Sequence, residues 1–193
     1  MKKFIILFSL IFSINLFATE APDFELESHN KKTVRLSDLK GEIVVLEWFN
    51  KGCPFVKKFY EAKKMQELQQ KFTGLGVKWL TIISSAKDKQ GHETTIEATK
   101  TREEWQIKSS HTLLDPTGKV GKLYGAKTTP HFFIISKDQK IVYQGAIDSI
   151  PSGDPADIPQ AKNYIAENLS KLVKNQKVSI DRTKPYGCSV KYQ

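Results

Sequence analysis

The chain is poor in sulfur, with only two cysteines, Cys53 and Cys188, among its 193 residues. That scarcity limits any disulfide framework to a single bridge between these two, which an even count permits and does not require. Histidine is scarce as well, and none of His29, His92, His111 and His131 stands at ligand spacing to a cysteine. No internal repeat or low-complexity tract is present, so a repeat array is excluded. Aromatic residues fall inside apolar runs, and the lysines alternate with acids along helical faces. The formal charge of +9 therefore reads as a solvated surface and not as a nucleic-acid patch.

What is present begins with an apolar run at the start. MKKFIILFSLIFSINLFA carries two lysines, then apolar residues interrupted by Ser9, Ser13 and Asn15, then Ala18, and residues 1–18 read as a secretory signal peptide. The run is short for a membrane span, no stop-transfer pattern follows, and no cysteine near Ala18 is available for a lipid. The alternative is a retained anchor, since Leu16 is larger than the small residue usual three positions before a cut. Membrane contact is otherwise expected only through this transient leader. Its loss takes Lys2 and Lys3 and lowers the charge from +9 to +7. Residues 19–193 are then enough for one domain, with a tail over 176–193. Export, to a periplasm or beyond, would put both cysteines where disulfides persist.

Along that domain, residues 21–42 read as a hairpin around His29 and Asn30 followed by a helical turn at 36–39. IVVLEWF, residues 43–49, is a strand buried on both faces. From Pro54 the apolar positions Val56, Phe59, Met65, Leu68 and Phe72 predict one helix, stopped by Gly74 and Gly76. VKWLTIISS, residues 77–85, is a second strand, parallel to the first across that helix. A polar loop and helix follow, then a strand end, a turn and a short helix over 113–125. A hairpin joined at 137–139, a helix over 158–173 and an irregular tail complete the chain. The order predicts an α/β fold, a central mixed sheet flanked by helices with an N-terminal hairpin extension.

Cys53 sits at the joint between the first buried strand and its helix, in EWFNKGCPFVKK. Proline at the first helical position places Cys53 at or before the cap, where free N–H groups and the positive helix end favour an anion. Cysteines so placed titrate between about 3.5 and 7.5 instead of about 8.5. Lys57 and Lys58 add to the positive field. The joint makes a reactive sulfur, the alternative being an inert cysteine at a turn.

APDFELESHNKKTVRLSDLKGEIVVLEWFNKGCPFV and LLDPTGKVGKLYGAKTTPHFFIISKDQKIVYQGAID, from Ala21 to Asp148, together resemble thioredoxin-fold redoxins of the AhpC/TSA and envelope thiol-disulfide oxidoreductase type. The resemblance implies that Cys53 is the nucleophilic cysteine of the thioredoxin CxxC. Val56 holds the place of the second cysteine, so no thiol one turn away resolves a mixed disulfide. Thr129 and Pro130 match the family's cis-proline loop, which packs beside the active cysteine and offers backbone groups to an extended substrate. Glu47 matches the buried carboxylate that many thioredoxins keep as a proton carrier; the alternative is a partly exposed glutamate at the sheet's end. Peroxiredoxins carry Thr or Ser three before their cysteine, with an arginine nearby; here Asn50 holds that place, and Arg35, Arg102 and Arg182 are the arginines available. Asn50 remains able to donate to a peroxide or a thiolate.

Cys188, in KPYGCSVKY, is the one other thiol able to resolve Cys53 within a chain, with Gly187 giving backbone freedom. A permanent staple between the two, or an unpaired Cys188, stay open. The activity implied is thiol-disulfide exchange or hydroperoxide reduction, of antioxidant type, with no cofactor. Its partners would be a protein disulfide or hydroperoxide and an external thiol reductant. The reading from another class is a copper carrier on the same fold, with Cys53 and His131 near the proline loop.

Overall fold

A computed structural model describes residues 19–193, so the expected leader, residues 1–18, lies outside the described residues. Nine strands and five helices follow in order: β1 Glu25–Ser28, β2 Thr33–Arg35, β3 Val44–Trp48, α1 Pro54–Glu61, α2 Lys64–Thr73, β4 Lys78–Ile83, α3 Thr95–Glu104, β5 His111–Leu114, α4 Lys119–Tyr124, β6 Thr128–Thr129, β7 His131–Ile135, β8 Ile141–Gly145, α5 Tyr164–Leu172 and β9 Cys188–Ser189. Seven strands form one mixed sheet in the order β2-β1-β5-β4-β3-β7-β8. The β3–β4 and β4–β5 pairs are parallel, and β7 runs antiparallel to both β3 and β8.

The central strands are buried on both faces because each has helices or loops above and below it, and their side chains alternate accordingly. Val45, Trp79, Phe132 and Ile134 meet Val56, Phe59, Met65, Phe72, Ile165 and Leu169 on one side. Val44, Leu46, Trp48, Leu80 and Phe133 meet Phe24, Leu36, Val120 and Tyr124 on the other. This sandwich fixes the C-terminal end of β3, and with it the start of α1.

Two spans depart from the sequence reading. The helix expected from Pro54 through Phe72 is broken at Lys63, which takes a left-handed conformation with φ 60°. Met65 lies six residues after Phe59, short of a whole two turns, so one straight helix would carry the second apolar set off the sheet; the break restores the phase. The helix expected over 158–173 is a 3-10 segment at Pro155–Gln160, then α5, since Pro159 cannot supply an N–H to a continuing helix.

Candidate functional site

After Trp48 the chain turns through Asn50, whose side-chain carbonyl accepts the Gly52 N–H at 2.8 Å while its main-chain carbonyl accepts the Cys53 N–H at 3.0 Å. Pro54 then opens α1, and Cys53 is the N-cap with φ −84° and ψ 122°. The carbonyl of Cys53 accepts the N–H groups of Val56 and Lys57, both at 3.0 Å. Its sulfur is buried, at 0% residue exposure, and the thiol donates to the carbonyl of Thr129 at 2.9 Å. The Thr129–Pro130 bond is cis, and the contact with the Thr129 carbonyl sets this loop beside Cys53.

The tail lies against this loop. Thr128 pairs with Ser189 and Thr129 with Cys188, antiparallel, in a two-stranded sheet of β6 and β9. The pairing continues as Val190 N–H donates to Lys127 at 3.1 Å, and on the other side Ala86 N–H donates to Lys191 at 2.8 Å. Upstream, Thr183 N–H donates to Gln144 and Gln144 N–H to Asp181, at 3.0 and 2.9 Å. The tail is mostly irregular, as its composition suggests, and it is tied down at both ends by backbone bonds. Gly187 has φ +130°, and a Cβ there would stand 2.1 Å from the Thr129 carbonyl. Glycine is thus required for contact with the loop, beyond the freedom expected of it.

Both cysteines are free thiols, and they differ. Burial pushes the Cys53 thiol up, but the Cys188 thiol and N–H, the Thr129 hydroxyl and the Val56 N–H all favour its thiolate, and its pKa lies below the ordinary value. Among the described residues the buried Thr129 hydroxyl has no other partner, which leaves it to the thiolate. Burial, and then the hydrogen bond and charge of Cys53, push Cys188 up to about 11. Lys58, expected to add to the field at Cys53, turns away: its side chain is buried, its ammonium lying 3.9 Å from Asp148 and donating to the Ser152 carbonyl at 3.0 Å.

The other expected residues lie around this pair with engagements of their own. Glu47, wholly buried, accepts from Tyr60 Oη at 2.7 Å, Gln69 Nε2 at 3.0 Å and Trp79 Nε1 at 2.7 Å. Burial outweighs these donors and raises its carboxyl to about 6. The Asn50 amide donates to the Gln90 carbonyl at 3.1 Å, which pins the loop after β4 to the joint. The Arg35 side chain binds Glu25 and that of Arg102 binds Ser109 and Thr112, while Arg182 bridges to Gln144 through the backbone of the tail. His131 Nδ1 accepts the Lys127 N–H at 3.2 Å, and burial lowers the imidazole to about 4. Among the described residues no group of three or more His, Cys, Asp or Glu is placed to hold a metal.

Three residues that hold the tail escaped the sequence reading. The Tyr186 hydroxyl donates to Asp148, and its ring meets Phe55 edge-on at 5.9 Å. A signal was available in Tyr186, an aromatic two before Cys188, but nothing in the order of residues pairs it with Asp148.

The curated relatives that the chain matches include a thiol-disulfide oxidoreductase ResA of Bacillus thuringiensis subsp. konkukian, 30% identical over 65% of this chain and 66% of the relative. The chain thus spans just under two thirds of that relative's length. Among solved structures, an uncharacterized conserved protein of Geobacillus kaustophilus is 27% identical with a TM-score of 0.75, covering 94% of each chain. The exposed lipoprotein thioredoxin of Streptococcus pneumoniae is 25% identical with a TM-score of 0.53, over 72% of this chain and 96% of its own. These likenesses make the fold thioredoxin-like. The sequence model of the AhpC/TSA family matches residues 17–144, a stretch that holds Glu47, Asn50, Cys53, Thr129 and Pro130 and ends before the tail. By that match, over the part of the chain that builds the cysteine joint and its proline loop, the protein belongs to the AhpC/TSA family.

Proposed function

We propose that the protein is a thiol-disulfide oxidoreductase whose redox pair is Cys53 and Cys188. The observation that carries this is the pairing of Thr129 with Cys188, which sets a thiol from the tail beside a thiol at the start of α1. The Cys53 thiolate attacks a substrate disulfide, forms a mixed disulfide with one sulfur and expels the other as a thiolate that takes up a proton. Cys188 is held protonated partly by the charge of Cys53, and that charge vanishes once Cys53 is bonded to substrate. Cys188 then loses its proton more readily and attacks Cys53, closing a disulfide and expelling the second substrate thiolate. Two electrons pass from the protein dithiol to the substrate, and an external thiol reductant restores the pair.

Exchange is favoured over hydroperoxide reduction because the Asn50 amide is engaged in the turn and Arg35 and Arg102 are bonded elsewhere. A copper carrier lacks support, because the His131 ring nitrogen already accepts a backbone N–H. We place the reaction outside the cytoplasm on the strength of the predicted leader, where a dithiol needs a dedicated donor. Glu47, Asn50, Thr129 and Pro130 belong to the same proposal as positioning groups. The test is trapping. Cys53→Ser should abolish reduction of a model protein disulfide, and Cys188→Ser should accumulate a mixed disulfide on Cys53, read by mass spectrometry. A Cys188→Ser protein that turns over at the full rate would defeat the pair.

A further inference from the structure

The tail does more than deliver a thiol, because it fills the place next to Cys53. Among the described residues β6 has one strand partner, β9. The edge that Thr128 and Thr129 would offer to an extended polypeptide is already taken by Cys188 and Ser189, and Cys53 beneath is at 0% exposure. No external disulfide reaches that sulfur while the tail is seated.

The seat is specific at three successive positions. Tyr186 is held by its hydroxyl on Asp148 and its ring on Phe55. Asp148 is itself buried beside the buried ammonium of Lys58. At Gly187 a Cβ would enter the Thr129 carbonyl, so the space admits no side chain. Cys188 follows, in register with Thr129.

We infer that the segment Tyr186–Val190 is a tethered occupant of the substrate site, latched by Tyr186 on Asp148, and that a protein substrate enters by displacing it. The substrate class is an extended polypeptide that presents a cysteine preceded by glycine, and before that an aromatic residue, adding to β6 as a strand. The inference rests on the thiol-exchange reading for its chemistry, while the cover itself does not. Tyr186 and Asp148 are positioning residues in this account: they act through the tail and touch no reacting atom.

The test uses the full chain with Cys188→Ser, so that Cys53 is the one thiol followed. Iodoacetamide alkylation of Cys53 should be slow there. Adding Tyr186→Phe should speed it by about tenfold, the population change that follows loss of one charge-assisted hydrogen bond. Adding Gly187→Ala should speed it at least as much, and melting in parallel keeps a loosened tail distinct from an unfolded chain. Equal alkylation rates in all three folded proteins would overturn the cover.

The substrate class is read separately, with peptides carrying Tyr-Gly-Cys-Ser or Tyr-Val-Cys-Ser activated as aromatic mixed disulfides. The glycine peptide should form a mixed disulfide with Cys53 at least about tenfold faster, since the valine Cβ meets the carbonyl that excludes a side chain at Gly187. Equal rates would overturn the class and leave the exchange chemistry standing. Failure of the loosened proteins to react even with a small aromatic disulfide would overturn the exchange reading and the class with it, while alkylation still reports the cover.

Discussion

Glu47 and Asp148 are both buried carboxylates that reach helix α1, Glu47 through Tyr60 and Asp148 through Lys58. Glu47 is held within the continuous fold: its donors Tyr60, Gln69 and Trp79 come from α1, α2 and β4, and none of them is a cation. Asp148 is held partly by the tail, with Tyr186 and the Ile150 N–H on one oxygen. Among the described residues its other oxygen has no hydrogen bond, only the Lys58 ammonium at 3.9 Å. Satisfied by groups that cannot leave, a buried carboxylate knits the core; satisfied by a segment that can leave, it becomes a latch whose closed state depends on that segment.

The largest effect is expected at Asp148. Asp148→Ala strands the Lys58 ammonium in the interior and should cost about 3 to 5 kcal/mol, measured by denaturant unfolding, while the tail loosens and Cys53 alkylation accelerates. A variant as stable as the wild type, with Cys53 as protected, would mean that Asp148 is not a latch. Glu47→Gln should cost less, on the order of 2 kcal/mol, because the new amide NH₂ faces donors where an acceptor stood. Cys53 alkylation should stay at the wild-type rate. If it rose as it does at Asp148, the two carboxylates would not be separable.

The pH dependence sharpens the same contrast. The carboxyl of Glu47 lies at about 6 when folded, against about 4.3 in an unfolded chain, so the folded state holds the proton over that window. Its contribution is fully present below about pH 4.3 and is lost as pH rises through about 6, on the order of 2 kcal/mol in total. The stability margin of the wild type over Glu47→Gln should therefore widen as pH falls from above 6 to about 4, and a parallel pair of profiles would show that Glu47 does not titrate there. The smallest effect is at Cys188. With Cys53→Ser its thiol should titrate below the value of about 11 that the Cys53 charge helps to impose, followed by thiolate absorbance. An unchanged midpoint would mean that the two sulfurs do not sense each other.

Much of this molecule was legible along the chain. The buried runs around Val45 and Leu80, the parallel crossover and the proline after Cys53 are local patterns, and local patterns follow from side-chain period and backbone restriction. The break at Lys63 was not legible, because one residue of phase error is invisible until both helices lie on the same sheet. Likewise Lys58 reads as one of two solvated lysines beside Cys53, until a fold places Asp148 opposite it.

The order of residues alone sets a cysteine at the start of a helix behind Pro54, puts Val56 three places after it, and leaves a second thiol 135 residues further on. Where that second thiol goes depends on the closed fold. Its position depends on Thr129 pairing with Cys188, on Tyr186 reaching Asp148 and on the absence of a side chain at Gly187, which are contacts between distant segments. Backbone hydrogen bonds and close packing of this kind carry no periodic signal in either segment alone, so they appear only when the chain has closed upon itself.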